Sequence, residues 1–364
     1  MRRGGGNVLA TGVGIVSVGV AIGILAPLLQ KLGNPANMGI CVACMERDIA
    51  GSLGLHRAAV VQYLRPEILG FILGAFISAM LFREFKPRGG SAPITRFFLG
   101  MAAMVGALVF LGCPWRALLR LAGGDLNAIL GLAGLATGIW IGTLFFKGGY
   151  SLGRSTEQRT ATGSIMVLVA SGLLVLRLLY PPVEGQAQSG VLFYSTQGPG
   201  AARAPLLVSL GAGILIGILA QRSRFCTMGG IRDLILFRQW HLFSGILALL
   251  ATAWIMNLLL GQFRPGFEKQ PIAHSQHLWN FAGMLVAGLA FALAGGCPGR
   301  QLFMAGEGDA DAGLFVLGMI VGAAVSHNFG LASSPQGIGP HGAAGVIGGL
   351  VFCILVGFAH RGKS

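Results

Sequence analysis

The sequence predicts an all-α polytopic membrane protein with about ten transmembrane helices, arranged as two inverted repeats with short re-entrant helices. Two observations lead to this class. Charged residues make up only 10% of the 364 positions and hydrophobic residues 54%, whereas a soluble domain carries roughly 25% charged residues. In addition, the chain contains ten apolar runs joined by short loops. Their lengths are close to the roughly 20 residues that a helix needs to cross a bilayer.

The predicted spans lie at roughly 8–30, 60–82, 95–112, 125–146, 162–180, 205–221, 240–260, 278–296, 312–331 and 341–360. The first run follows Arg2 and Arg3 as a signal peptide would, but it is long and has a counterpart later in the chain, so we expect it to be retained. Several of the 60 glycines recur four residues apart within the runs, a spacing that lets helix backbones approach closely. These pairs are Gly19/Gly23, Gly70/Gly74, Gly213/Gly217 and Gly318/Gly322.

The chain contains an internal repeat with an interval of about 185 residues. Cys41-x5-Arg47-Asp48 recurs as Cys226-x5-Arg232-Asp233, and Gly112-Cys113-Pro114-Trp115-Arg116 recurs as Gly296-Cys297-Pro298-Gly299-Arg300. We therefore predict a first membrane repeat at 1–180, an inter-repeat loop at 181–204 and a second membrane repeat at 205–364. Because each copy holds five crossings, an odd number, the copies are expected to be inverted, as in many secondary transporters.

The formal net charge of +14 does not indicate nucleic-acid binding, because the 26 Lys and Arg residues are scattered through short loops rather than gathered into a patch. Basic residues near span ends instead fix orientation in the lipid bilayer. The tract Arg83, Lys86, Arg88 and Arg96 is the clearest cytoplasmic marker. We expect a bacterial cytoplasmic (inner) membrane location with both termini cytoplasmic.

Four cysteines stand at repeat-matched positions, each where the helical pattern breaks: Cys41, Cys113, Cys226 and Cys297. Irregular backbone at membrane depth is tolerated only where it is buried in protein or lines a cavity. A thiol at a helix N-terminus near Arg suits soft, polarizable sulfur or selenium. We therefore predict that these four residues line a substrate path, while Cys353, inside the last span without a repeat partner, is expected only to pack.

The pair Cys41-x2-Cys44 allows other interpretations. A zinc site would need a second cysteine pair or nearby histidines, and His274 and His277 lie on a distant predicted loop, so no metal is expected. As a redox dithiol, the pair would make the protein a membrane thiol oxidoreductase. No nucleotide-binding loop or haem-binding motif is present, so no cofactor is expected.

Charged residues also recur between the copies: Arg47 and Asp48 with Arg232 and Asp233, and Arg116 with Arg300. Ionisable residues at membrane depth are usually functional or paired. Each Arg and Asp could form a structural ion pair, or the arginines and helix N-termini could make the path attractive to an anion. The two roles are compatible.

Three segments carry a resemblance to a known family: Met38-Gly39-Ile40-Cys41-x2-Cys44-x2-Arg47-Asp48, Arg224-Phe225-Cys226-Thr227-Met228 and Gly295-Gly296-Cys297-Pro298-Gly299-Arg300. They resemble the YeeE/YedE family of sulfur-transport membrane proteins. The stretch Leu55 to Tyr63, together with Cys44, looks most like the YedE branch, to which selenium transport is ascribed. The resemblance implies a pseudo-symmetric fold, thiosulfate uptake in the YeeE branch, and cysteines on the pore axis that pass the substrate along by hydrogen bonds.

We therefore expect uptake of a small selenium- or sulfur-containing anion through a path that includes Cys41, Cys44, Cys113, Cys226 and Cys297. Cys44 is an addition to the matched set. The protein is then not an enzyme. The alternatives are the thiol oxidoreductase based on Cys41 and Cys44, and an accessory subunit whose cysteines only pack. A soluble cytoplasmic sulfur-carrier protein is a candidate partner.

Overall fold

The computed structural model describes residues 7–362, which form fourteen α-helices, a short 3₁₀ turn at Val8–Ala10 and four two-residue strands. The first half contains α1 (Gly12–Lys31), α2 (Val42–Ser52), α3 (Pro66–Leu81), α4 (Pro93–Phe110), α5 (Pro114–Ala122), α6 (Asn127–Lys147) and α7 (Thr160–Leu179). The second contains α8 (Leu206–Ser223), α9 (Thr227–Phe237), α10 (His241–Leu259), α11 (His277–Ala294), α12 (Pro298–Gly306), α13 (Ala310–Asn328) and α14 (Gly342–Ala359). Two antiparallel pairs join β1 (Arg88–Gly89) to β2 (Thr156–Glu157) and β3 (Gln188–Ser189) to β4 (Leu192–Phe193).

The predicted all-α polytopic class is confirmed. Within residues 7–362, nine helical runs are long and apolar enough to cross a membrane, three of them consisting of a long helix and the short helix that follows it: α4 with α5, α8 with α9, and α11 with α12. The remaining predicted span, 60–82, corresponds to α3, an apolar helix of 16 residues.

The predicted span 60–82 was wrong at its start, because α3 begins only at Pro66. Proline is favoured at the first helical position, where its missing N–H leaves no bond unmade. Arg65 before it has an extended backbone, and its Nε donates to Asp48 Oδ2 at 2.8 Å. The ion pair holds residues 60–65 in an irregular segment beside α2.

Helix packing follows a pattern of exchanged partners between the two halves. Taken in chain order, the helices α1 to α7 can be matched with α8 to α14. Under this correspondence, the contact of α3 with α8 matches the contact of α10 with α1. The contact of α6 with α11 matches the contact of α13 with α4. The contact of α5 with α10 likewise matches that of α12 with α3. The outer helices differ, since α7 packs on α3 while α14 packs on α4 and α11. The boundaries at 180 and 205 stay a prediction.

Glycines bring the long helices into backbone contact. At the crossing of α3 and α8, a Cβ on Gly70 would lie 2.8 Å from the Leu210 carbonyl oxygen, and one on Gly213 would lie 2.5 Å from that of Glu67. Neither position has room for a side chain. The small-residue spacing seen in the sequence therefore marks true contact faces.

Helix α2 is polar but completely enclosed, with every residue from Val42 to Ser52 buried. The segment between the halves covers it: Arg65 donates to the carbonyl oxygens of Pro199 and Ala202, and Gln62 N–H donates to Ser195 Oγ. Such an arrangement satisfies polar backbone away from lipid, as a short helix at membrane depth requires.

Candidate functional site: two cysteine sites at helix N-termini

Each of the four short helices begins immediately after a cysteine. Cys41, Cys113, Cys226 and Cys297 are the N-caps of α2, α5, α9 and α12. Cys41 Sγ accepts the Cys44 N–H at 3.4 Å, and Cys226 Sγ accepts the Gly229 N–H at 3.3 Å. These sulfurs take the place of the oxygen that usually caps a helix, so the thiols lie at the positive ends of helix dipoles.

Cys113 and Cys297 cap their helices differently. Each precedes a proline at the first helical position, Pro114 in α5 and Pro298 in α12, and neither thiol accepts a capping hydrogen bond. Among the residues that the structure describes, the thiols of Cys113 and Cys297 therefore do not cap their helices in the way that Cys41 and Cys226 do.

The first cysteine site, defined as Cys41, Cys44 and Cys113, forms where the N-termini of α2 and α5 meet. Cys41 Sγ lies 3.8 Å from Cys113 Sγ, and the Cys44 thiol lies 3.7 Å from the Leu111 carbonyl oxygen. All three residues are at most 1% exposed. Three buried thiols thus lie close together in the protein interior.

The second cysteine site, defined as Cys226 and Cys297, forms at the N-termini of α9 and α12. The Cys297 backbone N–H donates to Cys226 Sγ at 3.5 Å. Cys226 is 6% exposed and Cys297 is fully buried. Gly229 occupies the position that Cys44 has in the first half, so the two sites are related but differ in their number of thiols.

Arg116 is a buried cation beside the first cysteine site. Its Nη1 lies 3.4 Å from Cys44 Sγ and also donates to the Leu111 carbonyl, while Nε and Nη2 donate to the carbonyls of Asn37 and Ile272 at 3.2 and 3.0 Å. None of the ion pairs formed within residues 7–362 includes Arg116. A fully buried guanidinium without a carboxylate leaves this site with an excess positive charge.

Arg300, the repeat counterpart of Arg116, is paired. Its Nη1 contacts Glu307 Oε1 at 3.1 Å, and the other oxygen of Glu307 accepts from Arg224 at 2.9 Å. Arg88 contacts Glu307 at 3.6 Å and Asp309 at 2.7 Å. The second site therefore adjoins a network of arginines and carboxylates, not an isolated cation.

Glu84, in the loop after α3, extends this network. It accepts from Gln221 at 2.8 Å and from Arg222 at 2.7 Å. Burial raises the pKa of its carboxyl, but Gln221, Arg222 and Arg224 outweigh that effect and hold the pKa below its ordinary value. The Glu84 carboxylate thus fixes the end of α8 in the folded protein.

The predicted pairs of Arg and Asp are present but do not reach the thiols. Asp48 accepts from Arg47 and Arg65, each at 2.7 Å, and all three side chains are nearly or fully buried. Arg232 and Asp233 are 2.8 Å apart and partly exposed. Arg47 and Arg232 bond to the neighbouring aspartates, which supports the structural role for these four residues.

The sequence reasoning assigned no role to three buried residues near the first site. Arg65 and Arg47 both pair with Asp48. The sequence signal that could have identified Arg65 is its position directly before Pro66, the first residue of α3. Both carboxyl oxygens of Glu46 have no hydrogen-bond partner within residues 7–362, and the same is true of Trp115 Nε1. No sequence pattern marked Glu46, and Trp115 differs from its repeat counterpart, Gly299.

Comparison with known proteins locates a family match in the second half. Residues 222–352 match a family model described as sulphur transport. This range contains Cys226, Cys297 and Arg300 but not the first cysteine site.

Two curated relatives agree. The chain is 35% identical over 96 residues to the thiosulfate transporter TsuA of Spirochaeta thermophila, a match covering 26% of this chain and 28% of that protein. It is 31% identical over 103 residues to the thiosulfate transporter TsuA of Escherichia coli, covering 28% and 29%. The matches therefore span less than a third of each relative. They confirm the predicted resemblance to sulfur-transport membrane proteins of the YeeE/YedE type: residues 222–352 match the sulphur-transport family model, and part of the chain is similar to two thiosulfate transporters.

Proposed function

We propose that this protein takes up a small sulfur- or selenium-containing anion across the bacterial cytoplasmic membrane by way of the two cysteine sites. The observation that carries the proposal is Arg116, a fully buried guanidinium that has no carboxylate within residues 7–362 and lies 3.4 Å from a thiol. A buried cation of this kind is stabilised by a bound anion.

The chemistry of the first cysteine site suits an ion with a soft end and a hard end. Thiosulfate, the substrate named for the two relatives, has a terminal sulfur and three oxygens. Thiols offer soft, weak contacts to sulfur or selenium, while the guanidinium and the helix N-termini bind oxyanions. Because both contacts are non-covalent, the ion can dissociate without a reaction step.

The second cysteine site offers a similar but weaker environment. It has two thiols at the N-termini of α9 and α12, and its arginine is engaged by Glu307. An ion that moves between the two sites meets thiols in each. We propose that the five cysteines act as successive contacts along one path, with both chain termini on the cytoplasmic side.

Uptake by proteoliposomes containing the full chain tests the proposal. Labelled thiosulfate, selenite and sulfite are offered separately; uptake of at least one, with competition by the others, is the expected result. Arg116→Gln should reduce uptake more than Arg300→Gln, since of these two arginines Arg300 alone pairs with a carboxylate in the part of the chain that the structure describes. Failure of the folded wild-type protein to move any of the three ions would overturn the proposal.

One observation favours a second candidate, a membrane thiol oxidoreductase: two thiols, Cys41 and Cys113, are in contact. Such an enzyme would exchange electrons with a partner without an ion gradient. Alkylation of the first cysteine site would then stop a redox reaction in detergent, where transport cannot be measured.

A soluble sulfur-carrier protein as cytoplasmic partner remains part of the transport proposal, testable by copurification with the detergent-solubilised protein.

A further inference from the structure

Trp115 lies against its own repeat counterpart, Gly299. Trp115 follows Cys113 by two residues, and Gly299 follows Cys297 by two. A Cβ on Gly299 would be 3.2 Å from Trp115 Cζ2 and 3.5 Å from Cε2. The indole therefore reaches from the N-terminal turn of α5 to that of α12, linking the surroundings of the two cysteine sites.

Aromatic rings enclose the indole. Ring centroids of Phe71 and Phe225 lie 5.9 Å from that of Trp115, and the centroid of Phe303 lies 6.2 Å away. Trp115 is 1% exposed, and Phe225, Phe71 and Phe303 are fully buried. Phe225 directly precedes Cys226, so this aromatic cluster is continuous from one cysteine site to the other.

The contact explains why the two copies differ here. Trp115 and Gly299 occupy equivalent positions, and the indole of one fills the space next to the other. Even a methyl group on Gly299 would be in tighter contact than a side chain normally makes. There is room for one indole, not two.

The indole also carries an unused hydrogen-bond donor. Trp115 Nε1 is buried without a partner among the residues that the structure describes, although a buried tryptophan N–H usually finds one. Cε2, bonded to Nε1, faces the first turn of α12. The indole edge formed by Cε2 and Cζ2 therefore lies against Gly299, two residues after Cys297.

We propose that Trp115 is a substrate-contacting residue and the barrier between the two cysteine sites. This inference rests on the proposed anion transport. The indole keeps the two sites apart, and its Nε1–H donates to an oxygen of the anion as the ion passes from one pair of helix N-termini to the other.

Two substitutions of Trp115 test its hydrogen-bond donor and its role as a barrier separately. Trp115→Phe keeps an aromatic ring and removes the N–H; we expect a loss of about tenfold in apparent affinity for thiosulfate, as for one hydrogen bond to an ion. Trp115→Ala removes the ring. Trp140 on α6 is 49% exposed, so Trp140→Phe and Trp140→Ala are matched controls that should leave uptake unchanged.

Thiol labelling reads the barrier without any transported ion. A membrane-impermeant maleimide is added to one side of sealed, oriented vesicles, and labelling of each cysteine is measured by peptide mass spectrometry. In the wild type and in Trp115→Phe, only one cysteine site should react; in Trp115→Ala, both should. Gly299→Ala, which presses on the indole, should slow uptake and keep labelling one-sided.

Anion uptake and thiol labelling together distinguish a failure of the transport proposal from a failure of the proposed role of Trp115. If the wild type moves no anion, the transport proposal fails while the labelling result still tests the barrier. One-sided labelling in a folded Trp115→Ala protein overturns the barrier, and wild-type affinity in Trp115→Phe overturns the donor. Folding is checked by the melting temperature in detergent.

Discussion

The sulfur atoms of Cys41 and Cys113 lie 3.8 Å apart, although 72 residues separate them along the chain. The contact arises because α2 and α5 both begin at a cysteine and meet end to end. It has consequences for oxidation, for transport and for the comparison of the two halves.

Oxidation is expected to link Cys41 to Cys113. A disulfide requires the sulfurs to approach to about 2 Å, a small movement from their present contact. Diamide would take up the two hydrogens of the thiols, and the new bond would remove two soft ligands and stop uptake until dithiothreitol is added. Cys353, alone in α14, serves as control: in Cys353→Ser, diamide should still stop uptake and should join the peptides of Cys41 and Cys113, as detected by mass spectrometry without reduction. Inhibition by diamide without this cross-linked peptide would contradict the assignment.

The cysteines should differ in importance. Cys113→Ala or Cys297→Ala is expected to abolish uptake while the protein still inserts and folds, because each removes a thiol from one of the two cysteine sites. Cys44→Ala should lower uptake only a few-fold, of the order of one weak hydrogen bond, since Gly229 fills the equivalent position in the second site. Cys353→Ala is the matched control without effect. Normal uptake by both Cys113→Ala and Cys297→Ala would sink the proposed path.

Asp48→Asn should be far more damaging than the same change at its repeat counterpart. Asp48 is the shared acceptor of Arg47 and Arg65, and removing its charge leaves two buried guanidinium groups unpaired, at a cost of about 3–5 kcal/mol. Asp233 is 19% exposed, and its pair with Arg232 is worth about 1 kcal/mol or less. Melting temperatures in detergent measure both; equal shifts would show that burial does not set the difference.

Gly70→Ala should destabilise the crossing of α3 and α8. The new Cβ would lie 2.8 Å from the Leu210 carbonyl oxygen, so the helices must separate, at a cost of about 1–3 kcal/mol. Among residues 7–362, no atom lies within 4 Å of a hypothetical Cβ on Gly172 in α7, and Gly172→Ala should be neutral or stabilising by up to about 1 kcal/mol. The pair is compared by thermal unfolding, and a Gly70→Ala protein as stable as wild type would mean that this face is not a tight contact.

Acid should weaken the attachment of α8 through Glu84. Because its pKa is lower in the folded state than in the unfolded chain, the carboxylate stabilises the fold above its ordinary pKa, and this contribution is lost as the pH falls through the folded-state value. The melting temperature of the wild type should therefore be higher than that of Glu84→Gln at pH 7. The difference between the two melting temperatures should become smaller below about pH 4. A difference independent of pH would point to packing, not charge.

Local signals predicted much of this molecule. Hydropathy located the ten long helices, since a run of apolar residues needs no partner to be recognised. Cys113, Cys226 and Cys297 were expected at helix starts because Pro or Thr follows each of them, and Cys41 was expected there as the repeat counterpart of Cys226. The start of α3 was misplaced because Val60, Val61 and Leu64 extend the apolar run, whereas Arg65 forms an ion pair with Asp48 and the helix begins only after it.

Only the tertiary structure decided which residues meet. The sequence alone determined the membrane class, the repeated cysteines and the recurring charges, all of which depend on composition and short spacing. It did not determine that Cys41 contacts Cys113, that within residues 7–362 Arg300 pairs with a carboxylate and Arg116 with none, or that Trp115 fills the space beside Gly299. Those contacts depend on how two sets of helices pack against each other, and the partners of a side chain at such an interface are chosen by geometry between segments far apart in the chain.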